Sequence, residues 1–229
     1  WRNTAKYGKP FTKLYEEEKE HQVYILCDLR RSMQFASQGH FKSVVAGRLA
    51  ALCAFLAEEK NDSLCGQILG NKISSLPSAS AKITTPHFLN QLIQKSTTDS
   101  VVQFEDIFPF MNQNIRPGAI LFLISDFNDF STKELDFLGH LSKKHTINLI
   151  HIYDELELNL PKGVFPCSDG KNFSIVNTGS ETFKKNFLHS WNEHTLLLRK
   201  GIQKYGLGYL TLRTDSDYLN IFKRFCLGE

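Results

Sequence analysis

Three apolar runs in this chain each end in an aspartate, and that pattern constrains the fold more than any other feature. Val23-Tyr24-Ile25-Leu26-Cys27 runs into Asp28, Ala119-Ile120-Leu121-Phe122-Leu123-Ile124-Ser125 into Asp126, and Ile147-Asn148-Leu149-Ile150-His151-Ile152-Tyr153 into Asp154. The first two are short, continuously apolar and rich in branched or aromatic residues, as strands buried on both faces are. The third is partly polar, which places it nearer a sheet edge. Ser63 to Leu69 and Leu207 to Leu212 are weaker strand candidates.

Helical periodicities alternate with these runs. Phe41, Val45, Leu49, Leu52 and Leu56 recur every three or four residues, with Ala46, Ala50 and Ala54 beside them, and predict a helix buried over a wide arc. Thr85-Pro86 reads as an N-cap and first helical residue, with Phe88, Leu89, Leu92 and Ile93 following on one side. Ser131 to Glu134 reads as a capping box ahead of Leu135, Leu138 and Leu141. Phe183, Phe187, Trp191 and Leu198 predict another helix; Tyr218, Leu219, Phe222 and Phe225 predict the last, capped near Thr214 or Asp215. Strands alternating with helices imply an α/β fold, a mainly parallel sheet with helices on both faces. Asp169-Gly170 between extended runs marks a small β-hairpin inserted at about 162–178. Residues 1–20 read as a lead-in segment, and 21–229 as one domain carrying that hairpin.

Composition narrows the function. A chain of 229 residues, 41% hydrophobic, is enough for one large core or for one core plus an insertion. A net charge of +3 without a Lys/Arg run argues against nucleic acid as a partner. The five cysteines are odd in number and lack a C-x-x-C pair, and three lie inside apolar runs, so a reducing, cytoplasmic location is expected. No stretch of about 18 apolar residues exists, so no membrane segment lies within this chain; an anchor upstream of Trp1 stays open. The histidines show no zinc-like spacing, and neither a G-x-x-x-x-G-K-[ST] loop nor a G-x-S-x-G elbow is present. Cys27 sits inside a packed strand, a hindered place for a nucleophile, and Asp28-Leu29-Arg30 lacks the second carboxylate of a D-x-D phosphatase.

The carboxyl ends of strands line the ligand crevice of an open parallel sheet. Asp28, Asp126 and Asp154 should therefore share one edge. A single Asp at a strand end is ordinarily a cap or turn residue. Clustered carboxylates need a cation, a basic side chain or protons, and Mg²⁺ suits oxygen ligands of this kind.

The segment Asp28-Leu29-Arg30-Arg31-Ser32-Met33 resembles the D-x-S-x-S motif of von Willebrand factor A domains, and Ile124-Ser125-Asp126-Phe127 resembles the second acidic element of the same site. Trp1 to Lys6, Lys9-Pro10, Glu16-Glu17-Glu18 and Asp154 to Pro161 are in addition similar to the bacterial domain-of-unknown-function family 58. The resemblance implies a von Willebrand factor A-like, Rossmann-like fold. It also implies a metal-ion-dependent adhesion site built from Asp28, Ser32, a loop Thr and Asp126. The expected function is a non-enzymatic protein-binding module, partner or adaptor of a MoxR-type AAA+ ATPase. Thr85, or Thr84, matches the loop Thr by position alone.

Arg30 stands where the middle Ser of the motif belongs. A guanidinium cannot ligate a cation and carries its own charge. Pointing inward, it would neutralise Asp28 and Asp126 as a built-in cation; pointing outward, it would leave a weak Mg²⁺ site open. The first arrangement is the one expected, a degenerate site with no cofactor. Ser32, Thr85 and Phe127 are expected to contact the partner, with Phe127 either at the crevice mouth or folded into the core. The alternative function is a metal-dependent hydrolase or phosphoryl-transfer enzyme using the strand-end carboxylates. No general base or nucleophile near Asp28 occurs in a recognisable motif, so no catalytic residue is assigned.

Overall fold

The structure, a computed structural model, describes residues 20–94, 102–168 and 173–228. The lead-in segment, apart from Glu20, and the Asp169-Gly170 turn lie outside them. The strands are β1 (Gln22–Asp28), β2 (Ser63–Leu69), β3 (Ile73–Ser80), β4 (Ile120–Ser125), β5 (Thr146–Tyr153), β6 (Val164–Ser168), β7 (Phe173–Asn177) and β8 (Gly208–Arg213). The helices are α1 (Lys42–Glu59), α2 (Ala81–Ile93), α3 (Phe108–Asn114), α4 (Thr132–Leu141), α5 (Glu181–Tyr205) and α6 (Tyr218–Leu227).

Six strands form one sheet in the order β3-β2-β1-β4-β5-β8. Only β3 runs antiparallel within it. All seven residues of β1 are buried, which is why its interior, Val23 to Cys27, is continuously apolar between Gln22 and Asp28. Its alternation divides the core. Val23, Ile25 and Cys27 face α1, α2 and α6, where they meet Val45, Leu49, Phe88 and Phe222. Tyr24 and Leu26 face α3, α4 and α5, among Met111, Leu135, Leu138 and Leu198. This is the α/β fold class expected from the sequence. The β6–β7 pair forms a separate antiparallel hairpin between β5 and α5.

Two helix starts differ from the expectation. α2 begins at Ala81, and Pro86 lies inside it. The reason is the end of the β2–β3 ladder: Ser80 pairs with Ser63, and the Ala81 amide then donates to the Asp62 carbonyl, so the chain turns into the helix at once. α6 is capped by Asp217, whose side chain accepts from the Asn220 amide, and not by Thr214 or Asp215. The Ser131 capping box of α4 is present with both of its hydrogen bonds.

Candidate functional site

The strand order reverses direction at β1. The chain leaves β1 for β2 on one side, and β4 fills the other side. A parallel sheet opens a crevice at such a switch point, outside the carboxyl ends of the strands. Asp28 is the last residue of β1, and Asp126 immediately follows β4, its hydrogen-bonded neighbour. Ser125 ties the two strand ends together by donating to Asp28 Oδ2 at 2.6 Å. Both aspartates are almost fully buried, so each needs a positive partner or a proton.

Arg30 turns inward and serves Asp28 alone of the pair. Its Nε donates to Oδ1 at 3.0 Å and its Nη2 to Oδ2 at 2.7 Å, a two-pronged contact that matches the planar guanidinium to the carboxylate. The Arg30 backbone amide adds a third bond at 2.9 Å. The other side of the guanidinium grips Asp129, with contacts of 2.5 and 3.0 Å. Burial disfavours the charge on Arg30, but the bonds and charges of Asp28 and Asp129 outweigh it and hold the group protonated.

Asp126 is neutralised by a residue outside the motif. Lys42, the first residue of α1, places Nζ 2.9 Å from Asp126 Oδ2 and 2.7 Å from Glu157 Oε1. Its side chain is 1% exposed. Burial opposes the ammonium form, yet Asp126 and Glu157 raise its pKa above the ordinary lysine value. Burial likewise opposes ionisation of Asp126, and Lys42, the Ser32 hydroxyl and the Asn128 amide together bring its pKa below the usual carboxylate range. Asn128 also donates through its side chain, at 2.9 Å.

A Mg²⁺ ion does not fit this donor set. Octahedral Mg²⁺ requires oxygens at about 2.1 Å. The oxygens of Asp28 and Asp126 are already taken by Arg30, Ser125, Lys42, Asn128 and Ser32, and an ion touching both carboxylates would have to displace the two cations. Among the described residues no three His, Cys, Asp or Glu side chains converge as a metal site.

Asp28, Ser32 and Asp126 thus come together, with Ser32 exposed at the surface. Thr85 does not join them. It lies inside α2, and its hydroxyl donates to the Ala54 carbonyl of α1 at 3.3 Å, which removes it from both the ligand set and the contact surface. Thr84 bonds back to Ser80. Phe127 folds into the core at 0% exposure against Phe130 and His151, so it is not a crevice-mouth contact either. Its φ of 51° is a left-handed conformation that bulky residues rarely adopt. The sharp turn it makes after β4 precedes Asp129, which meets Arg30. Asp154 stands at the same edge but is filled by Ser37, Thr214 and the Leu156 amide, so it holds loops together. Burial pushes the Cys27 thiol well up, which opposes a thiolate nucleophile. Lys42, Asp129 and Glu157 complete the site. Lys42 and Asp129 carry no motif signal in the sequence, and Glu157 lies in the Asp154 to Pro161 stretch that resembles the family without being marked there as a site residue.

The family described as "Protein of unknown function DUF58" matches residues 1–196. No curated protein matches the chain significantly. Among solved structures, the conserved hypothetical protein BatB from Bacteroides thetaiotaomicron is 13% identical, with a TM-score of 0.53 over 91% of this chain and 98% of its own. An aerotolerance-related membrane protein from Bacteroides fragilis NCTC 9343 is 14% identical, with a TM-score of 0.55 over 90% of this chain and 99% of its own. The SpRpn10 VWA domain is 10% identical, with a TM-score of 0.45 over 90% of this chain and 95% of its own. The first two similarities are of fold.

Proposed function

The chain belongs to the DUF58 family, whose function is unknown, and on that premise we propose that it is a non-enzymatic protein-binding module whose strand-end edge, a degenerate adhesion site, docks a MoxR-type AAA+ ATPase. One observation carries the reading. The carboxylates gathered at the β1/β4 switch point spend their oxygens on Arg30, Lys42, Ser125 and Asn128. A hydrolase or phosphoryl-transfer enzyme needs a free base, a nucleophile or an open metal site there. A binding surface needs a rigid, satisfied floor with exposed groups at its rim. Arg31 and Ser32 are such groups, both exposed and close to Asp28 in the chain. The contact surface is therefore drawn around Ser32 and Arg31, without Thr85 or Phe127.

We place the module in a reducing, cytoplasmic compartment; the four free thiols among the described cysteines support this. No helix of the described residues is long and apolar enough to cross a membrane. The test is an equilibrium binding assay between this chain and the cognate MoxR-type ATPase. Ser32→Ala and Arg31→Glu, both with native circular dichroism, should weaken binding by about tenfold or more, which corresponds to about 1.4 kcal/mol. Unchanged affinity in both variants would remove this edge as the docking surface.

A further inference from the structure

The two cations at the strand ends differ in origin. Arg30 lies within the motif-like segment, whereas Lys42 comes from the start of α1, 84 residues before the aspartate it serves. The first turn of a helix is an unfavourable place for a cation, because the helix dipole presents partial positive charge there. The first turn of α1 contains no acidic residue to compensate. What holds the ammonium in place is therefore the pair of carboxylates, Asp126 and Glu157, at 2.9 and 2.7 Å. Arg30 and Lys42 divide the strand-end carboxylates between them, Arg30 pairing with Asp28 and Lys42 with Asp126. Each is also backed by a further carboxylate, Asp129 or Glu157, that fixes the cation from its far side.

We propose that Arg30 and Lys42 together replace a divalent cation, two fixed single charges standing where one double charge would join the ends of β1 and β4. The inference rests on reading the edge as a degenerate adhesion site, though not on the identity of any partner. It assigns Lys42 a role that the motif does not reveal, and it makes partner binding independent of divalent-cation concentration. It also corrects the simpler expectation that Arg30 alone closes the site. With Arg30 changed to the motif's serine, the ammonium of Lys42 still occupies the oxygens of Asp126, and a Mg²⁺ ion entering beside Asp28 would be repelled by it. Both cations must go before the carboxylates turn toward a metal.

Calorimetric titration of the whole chain with Mg²⁺ and with Mn²⁺ tests this without a partner, so its outcome is separate from that of the docking assay. Wild type, Arg30→Ser and Lys42→Gln should show no binding heat and no change of Tm with Mn²⁺ or with chelator. The double variant Arg30→Ser/Lys42→Gln should bind Mn²⁺, and its Tm should rise by about 5 °C in excess Mn²⁺. A double variant that is unfolded in chelator and folds on Mn²⁺ addition gives the same support. Millimolar or tighter binding by the wild type overturns the proposal. So does Arg30→Ser binding as tightly as the double variant, which would make Lys42 a bystander. A double variant with neither binding nor thermal gain, or one that stays unfolded with Mn²⁺, overturns it too.

Discussion

His151 shows how strongly single residues at this edge depend on their surroundings. It is a β5 residue, 3% exposed, with its Nδ1 2.7 Å from the Tyr209 hydroxyl and rings of Phe127, Tyr153 and Trp191 around it. Burial lowers its pKa to about 4; nearby Asp126 pulls the other way, while His194 and Lys42 add to the lowering. The folded chain therefore keeps this imidazole neutral where the unfolded chain, at about 6.5, takes up a proton. Stability from this group is complete above pH 6.5 and is lost as pH falls from there to about 4. The loss should approach about 3 kcal/mol. Urea unfolding measured across that window should show the slope in the wild type and a flatter one in His151→Phe; equal slopes would assign the acid sensitivity elsewhere. Asp126, held below the usual carboxylate range, adds its own loss only at lower pH. Asp28 and Asp126 are legible in the sequence because each closes an apolar run, and Arg30 because it interrupts a motif. Lys42 is not, since a lysine in the first turn of a helical pattern looks like any solvated residue until the fold brings Asp126 and Glu157 to it.

At the scale of elements, the apolar runs translate directly into β1, β4 and β5. β1 and β4 are central and nearly unbroken in hydrophobicity, as strands covered on both faces are, whereas β5, next to the edge strand β8, carries the polar residues Thr146, Asn148 and His151. The edge strand β3 does not. Its sequence carries Ser74, Ser75, Ser78 and Ser80 around Pro77, which argues against a central strand but suits an edge. The register beside Pro77 slips between Leu64 and Gly66, the kind of irregularity at which proline is tolerated. Gly66 is constrained from the other side. A Cβ there would lie 2.6 Å from the Ile25 carbonyl of β1, with the Phe88 ring of α2 at 3.3 Å. Backbone oxygen in the middle of a sheet cannot yield as a side chain can. Gly66→Ala should cost about 1–3 kcal/mol in urea unfolding, by overpacking. A cost near zero would show that β2 is free to move away from β1, against the tight register described. The start of α2 differs from its sequence signal because Thr85-Pro86 carries an N-terminal signature, while the stronger constraint, the end of the β2–β3 ladder, is not local in sequence.

For the whole molecule, the strand order matters more than any one element. Placing β1 between β2 and β4 makes one switch point, with an aspartate at both strand ends that flank it. The alternation of strands and helices makes this architecture readable. Which charges meet across the crevice is not readable, because the α1 start, the turn after β4 and the segment after β5 reach it from separate parts of the chain. On the proposed reading, that convergence closes the crevice with the chain's own cations and leaves its rim, where Arg31 and Ser32 are exposed, to bind protein. Crystals of the wild type grown with excess Mn²⁺ and measured for anomalous scattering put this closure to the test. No manganese peak is expected between the ends of β1 and β4, with the Arg30 guanidinium on Asp28 and the Lys42 ammonium between Asp126 and Glu157. A manganese peak bridging Asp28 and Asp126, with Arg30 swung out to solvent, would show instead that the crevice is an open metal site.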